Sequence, residues 1–214
     1  MTQSRRLPTI APYPLPRRDE LPKSRASFTL DSSRAVLLIH DMQKYFCAPF
    51  ETSQSPLAPV VENIAGLAAK ARATGVPVFY TAQETNQIPC DRGLQADLWG
   101  PGMSDEVAHQ PIIDDLAPQP QDFQLVKHRY SAFQRSNLEP MMHARGRDQI
   151  IICGIYAHIG CLLTAADAFM RDFEPFFIAD ALADFSRDKH DMALSYVAQV
   201  CGVPLMARDA ETLL

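Results

Sequence analysis

The dominant pattern in this chain is a series of short apolar runs separated by longer amphipathic stretches. Residues 34–41 are nearly all apolar and end in a charge, Asp41, which suits a central parallel strand buried on both faces. Residues 76–82, 123–127, 149–153, 175–179 and 203–206 read as five further strands. Residues 57–74 place Val60, Ile64, Leu67 and Ala71 at helical spacing, and Gly75 follows as a natural stop. More helices are predicted after Ser136-Asn137 to about residue 145, over 159–171, and from an N-cap at Ser186 to about Cys201. Strand alternating with helix predicts an α/β fold: a doubly wound, mainly parallel six-stranded sheet with helices on both faces.

Two stretches depart from that alternation. Residues 1–30 contain Pro8, Pro12, Pro14, Pro16 and Pro22, which predicts an extended arm wrapping the domain rather than a helix. Residues 83–103 read as a long polar loop containing Trp99-Gly100-Pro101-Gly102, and loops of this length in compact domains are usually functional. Nothing marks a second domain, so residues 1–214 are expected to form one unit.

Composition narrows the chemistry. Apolar residues make up 47% of the chain and the net charge is −5, which fits a globular protein and lacks the basic face of a nucleic-acid binder. The five cysteines are widely spaced with no C-x-x-C, so a disulfide framework and a zinc site are both poorly supported. Reduced thiols point to the cytoplasm. Arg5, Arg6, Arg17 and Arg18 precede no apolar signal segment, and no run reaches membrane-spanning length. His40, His128 and His158 form no metal-binding spacing, and the serine-hydrolase, dinucleotide and P-loop motifs are absent.

Ligands of such sheets bind beyond the carboxyl ends of the strands. Those ends carry Asp41, Gln83, Lys127 with Arg129, and the turn 156–160. A buried Asp41 needs a partner, and Lys127 would neutralise it; Asp41 as a loop cap and Lys127 as a solvated charge are the structural alternatives. The turn after the fourth strand is where a nucleophile would sit. Its residue Gly160 has no side chain, and a thiol, Cys161, follows it. Cys161 reads either as that nucleophile or as a buried core thiol.

Several segments in order resemble a known family. They are Ala35-Val-Leu-Leu-Ile-His-Asp-Met-Gln43 with Tyr45-Phe46, Tyr80-Thr-Ala-Gln83, Trp99-Gly-Pro-Gly102 and Val126-Lys-His-Arg-Tyr-Ser-Ala-Phe133. Gly146-Arg-Asp-Gln-Ile150, Gly154-Ile-Tyr-Ala-His-Ile-Gly160, Asp167-Ala-Phe-Met-Arg-Asp172 and Ala179-Asp-Ala-Leu-Ala-Asp-Phe-Ser186 continue the series. Over roughly residues 13–214 the chain resembles the isochorismatases, a branch of the isochorismatase-like cysteine hydrolase superfamily. The superfamily's Asp and Lys fall on Asp41 and Lys127, and its Cys position falls on Gly160, where isochorismatases similarly carry a small residue.

The resemblance implies hydrolysis of isochorismate to pyruvate and 2,3-dihydro-2,3-dihydroxybenzoate in siderophore biosynthesis, with no cofactor and no metal. Cleaving a vinyl ether requires a general acid rather than a thiol, and Asp41 is the candidate. It also implies substrate contacts from Gln83, Arg92, Trp99 and Tyr156, a cis peptide at Ile155–Tyr156, and a homodimer. His128 stands where the family commonly has Trp. No aryl carrier domain is expected within residues 1–214, which reads either as a stand-alone enzyme, with a separate aryl carrier protein as a partner, or as one from which the carrier has been removed. Three other readings remain: the phenazine-pathway relative acting on 2-amino-2-deoxyisochorismate, a nicotinamidase-type cysteine amidohydrolase using Cys161, and a non-catalytic scaffold for carrier proteins.

Overall fold

The computed structural model describes residues 7–103 and 108–214. Its centre is one six-stranded sheet of β1 (Ala35–His40), β2 (Val78–Ala82), β3 (Phe123–Val126), β4 (Gln149–Ile155), β5 (Glu174–Ala183) and β6 (Val203–Leu205). The strand order is β3-β2-β1-β4-β5-β6, and every neighbouring pair is parallel. The order reverses between β1 and β4, so the crevice outside their carboxyl ends is the natural ligand site of this topology.

The apolar runs of the sequence become strands buried on both faces. Every residue of β1 and β4 is buried. Alternate β1 positions feed opposite cores: Leu37 and Ile39 join one cluster, and Val36 and Leu38 the other. The first cluster is closed by Ile64 and Leu67 of α2 (Leu57–Thr74) and by Ala210 of α8 (Ala207–Leu213). The second is closed by α5 (Leu138–His143), α6 (Leu162–Phe169) and α7 (Arg187–Val200), through Leu138, Ala165 and Leu194. The predicted α2 agrees residue for residue, and Gly75 ends it in a left-handed C-cap with φ 77°.

Six elements differ from the sequence reading. Lys44–Cys47 (α1) and α8 are helices that the apolar periodicity did not signal. β5 runs on to Ala183, four residues beyond the expected end at 179. The helix expected over 159–171 opens with a π-helical turn over Ala157–Cys161 before α6 begins. The expected loop 83–103 contains two short helices, α3 (Pro89–Arg92) and α4 (Gln95–Trp99). Their polarity is inverted: Leu94 and Leu98 are 82% and 59% exposed, while Arg92 and Gln95 are 6% and 8% exposed. A helix that turns its polar residues inward escapes an amphipathicity rule that assumes an apolar interior.

The proline-rich arm lies along the domain from Leu7 onward, and residues 1–6 fall outside the described residues. Ile10, Tyr13 and Leu30 are buried in the first core. The arm is fixed by backbone hydrogen bonds from Ile10 N to Pro49 O (2.9 Å) and from Arg25 N to Ala198 O (2.8 Å). The Tyr13 hydroxyl accepts a hydrogen bond from Asp184 N (2.7 Å) and lies 3.3 Å from His190 Nδ1. Among the described residues, no helix is long and apolar enough to cross a membrane.

Tyr13→Phe strips this buried backbone N–H of its acceptor, so it is expected to lower stability by about 1–3 kcal/mol in urea unfolding.

Candidate active site

The three strands at one end of the sheet deliver the central group. Asp41 follows β1 and has φ 51°, a left-handed conformation uncommon for a side chain larger than glycine. Its backbone N–H donates to Thr81 Oγ1 of β2 (3.1 Å), and the Thr81 hydroxyl donates back to Asp41 Oδ1 (2.7 Å). Asp41 Oδ2 is 2.7 Å from Nζ of Lys127, which follows β3. Lys127 also donates to the Arg129 carbonyl (3.0 Å) and is 3% exposed. Burial pushes the Asp41 carboxyl up, but Lys127, His40 and Thr81 outweigh it and hold the pKa below the ordinary value. Asp41 is therefore ionised in the free protein at neutral pH.

The ion pair opens into a cleft of about 600 Å³. Each residue singled out in the sequence for the site, Asp41, Lys127, Gly160, Gln83, Arg92, Trp99, Ile155 and Tyr156, lines it. The Ile155–Tyr156 peptide is cis. Arg92 donates to Gln83 Oε1 (3.1 Å) and to the Gly100 carbonyl (3.1 Å), and it has no carboxylate partner among the described residues. Burial lowers its pKa, as expected for a desolvated cation awaiting an anion. Gly102 makes room for it, because a Cβ there would lie 3.1 Å from Arg92 Cζ. Gln83 is held by Gln43, whose Oε1 accepts from Gln83 N (2.7 Å) and whose Nε2 donates to Gln83 O (2.8 Å).

The aromatic walls present faces rather than polar tips. Tyr156 donates its hydroxyl to the Phe46 carbonyl (2.8 Å), and Trp99 Nε1 donates to Tyr130 Oη (2.7 Å). Phe185 bridges them, with its ring centroid 4.4 Å from that of Tyr156 and 6.1 Å from that of Trp99. Phe185, Tyr45 and Tyr130 are cleft residues that the strand-end reasoning missed. All three lie inside the family-like segments, which was the available signal. Thr81 was hidden because a threonine inside an apolar strand reads as filler.

Gly160 contributes a wall and no functional group. A Cβ there would lie 2.2 Å from His40 Cε1. Cys161 points away: it is fully buried in the second core and does not line the cleft. Burial raises its thiol pKa well above the ordinary value, so it is no thiolate nucleophile. His158 lies outside the lining as well, with Nδ1 2.6 Å from Asp184 Oδ1 while its backbone N–H donates to Asp184 Oδ2 (2.6 Å). His128 does not reach the cleft; its carbonyl accepts from Gln95 Nε2 (2.8 Å).

A parallel α/β sheet thus carries a buried Asp–Lys pair at its switch point, with no side chain at the adjoining turn and no thiol among the described residues that line the cleft. Residues 35–209 match the family described as the isochorismatase domain. The chain is 50% identical to the isochorismatase of Bacillus subtilis (strain 168) over 200 residues, which is 94% of this chain and 64% of that protein. It is 46% identical to enterobactin synthase component B of Escherichia coli (strain K12), covering 95% of this chain and 71% of that protein. It is 47% identical to phenazine biosynthesis protein PhzD of Pseudomonas fluorescens, covering 92% and 94%. A cysteine hydrolase from Pseudomonas syringae pv. phaseolicola has the same fold, with a TM-score of 0.80 at 26% identity over 90% of this chain and 96% of its own. The chain belongs to the isochorismatase family of hydrolases. It spans just under two thirds of the Bacillus subtilis relative.

In native protein treated with iodoacetamide, Cys90 is expected to be the fast-reacting thiol, because Cys47, Cys153, Cys161 and Cys201 are buried. Mass mapping that finds Cys161 modified first would contradict this placement.

Proposed function

We propose that this chain hydrolyses the vinyl ether of isochorismate to pyruvate and 2,3-dihydro-2,3-dihydroxybenzoate, with Asp41 as the general acid. The observation that carries the reading is a buried carboxylate facing a cleft whose thiol position is a glycine. Protonated Asp41 delivers its proton to the methylene carbon of the enol ether, forming an oxocarbenium ion. Water adds to the adjacent, oxygen-bearing carbon of that ion, giving the hemiketal, and returns a proton to the Asp41 carboxylate. The hemiketal then collapses, with the departing ring oxygen taking the remaining hydroxyl proton. No covalent bond to the protein forms.

The free protein holds Asp41 ionised, which is the wrong form for this step. The substrate supplies the correction. Its two carboxylates engage Arg92 and Lys127, weaken the hold of Lys127 on Asp41, and exclude water. Each effect raises the Asp41 pKa, so binding draws in a proton. Trp99, Tyr156 and Phe185 provide apolar faces for the ring and the enolpyruvyl group, and Gln83 orients Arg92.

The biological setting proposed is catecholate siderophore synthesis in the cytoplasm, with the enzyme a homodimer working with an aryl carrier. A second reading, hydrolysis of 2-amino-2-deoxyisochorismate, is favoured by the 47% identity to the phenazine protein. Both substrates share the ether that Asp41 would protonate. Pyruvate release coupled to lactate dehydrogenase, run with each substrate, decides between them. No pyruvate from either would leave the scaffold reading standing.

Asp41→Asn keeps the shape of the carboxylate but has no proton to give, so kcat should fall by about 10³-fold or more with the fold intact. Near-parental turnover would sink the acid role. The pH profile carries a sign. The free-enzyme pKa of Asp41 lies below the carboxylate range, so the reactive fraction falls with each added pH unit. kcat/KM should therefore drop about tenfold per unit between about pH 5 and 8, while kcat stays level to a higher pH. A flat kcat/KM across that window would mean that Asp41 acts ionised.

A further inference from the structure

His40 ends β1 immediately before the candidate acid, and its ring is fully buried. Nδ1 is 3.2 Å from the Ile155 carbonyl oxygen and 3.6 Å from Asp41 Oδ2, and Nε2 is 3.3 Å from Thr164 Oγ1. One tautomer serves the Ile155 and Thr164 contacts, and the Tyr130 backbone is a further hydrogen-bond partner of the ring. Nδ1–H donates to Ile155 O, the Thr164 hydroxyl donates to Nε2, and the Thr164 oxygen accepts from Ala132 N (3.0 Å). Burial pushes the imidazole pKa down to about 4, so the ring is neutral at neutral pH and its charge acts on the Asp41 carboxyl only in acid.

The ring also abuts Gly160. A Cβ at that position would lie 2.2 Å from Cε1 and 3.0 Å from each ring nitrogen. The ring has nowhere to retreat, since both nitrogens are engaged and its surroundings are close-packed. The same strand end is tight on the β4 side, where a Cβ on Gly154 would lie 2.2 Å from the His40 carbonyl oxygen.

We infer that His40 is a positioning residue matched to Gly160: its ring takes the volume that any side chain at 160 would need, and its contacts hold Asp41 and the turn carrying Tyr156 in one register. The pair is a determinant of reaction type. With His40 in place, no nucleophilic side chain fits at the turn, and the cleft is left to proton transfer. The kinetic half of this inference rests on the general-acid reading above, and the steric half stands without it.

The test uses the whole chain and four variants: Gly160→Ala, His40→Ala, the double substitution, and His40→Asn. Gly160→Ala alone should lower the thermal midpoint by roughly 5 °C or more. Added to His40→Ala it should cost little further, so the two shifts are strongly non-additive. Additive shifts, or a Gly160→Ala protein as stable as the parent, overturn the match. If His40→Ala does not fold, the same cycle is run with His40→Asn, which also lacks Cε1.

Steady-state assays with isochorismate read the positioning role. His40→Ala should lower kcat about 100-fold, while KM moves by less than about threefold. His40→Asn, whose amide can donate to Ile155 O in place of Nδ1, should recover most of that loss. Equal losses in the two variants, or a raised KM with unchanged kcat, overturn the positioning role. A parent that releases no pyruvate defeats the functional reading alone, and the unfolding cycle still decides the His40–Gly160 match.

Discussion

The interaction on which the rest of this structure depends is the buried contact between Asp41 and Lys127. Removing two charges from water is costly, and such pairs are seldom net stabilisers. This one persists only because three adjacent strands end in step. Asp41 follows β1, Thr81 sits in β2, and Lys127 follows β3, with His40 level with Thr81 and Ala82 level with Val126. A slip of one residue in either pairing would leave a charge or a hydroxyl without its partner. The sheet register is thus tied to the electrostatics of the site.

The same logic governs the far wall. Arg92 is a nearly buried cation whose partners among the described residues are neutral oxygens from Gln83 and Gly100. A buried guanidinium without a carboxylate is unstable in proportion to its desolvation, and a bound anion relieves that. The cleft therefore holds one cation already paired and one in waiting, separated by flat aromatic faces. That arrangement favours an acidic, partly apolar molecule over a neutral one.

Much of the fold was legible in the sequence, because buried parallel strands leave continuous apolar runs and each run ends where its polar residue emerges. Asp41 and Lys127 could be placed by that rule alone. The rule also put Gln83 and the turn 156–160 at that edge, though their substrate contacts came from resemblance; Arg92 and Trp99 came from resemblance alone, since the short helices that carry them invert the usual polarity. The extension of β5 was illegible for another reason. Asp180 interrupts its apolar run, yet that carboxylate caps α8 by accepting from Ala207 N (2.7 Å), a contact made by residues far apart in the chain. His40 and Gly160 were both visible as residues, but nothing in one dimension says that they touch.

That contact has an evolutionary consequence. Residues 40 and 160 cannot change independently, because the ring of one stands 2.2 Å from where the first side-chain atom of the other would be. A lineage crossing from proton-transfer to thiol chemistry on this scaffold must shrink position 40 before it enlarges position 160, and the reverse order passes through an overpacked protein. Travel in the opposite direction obeys the same rule, since the side chain at 160 must be lost before a larger residue at 40 can fill the gap. The sheet thus sets an order of events: whichever way the chemistry moves, the shrinking substitution has to come first.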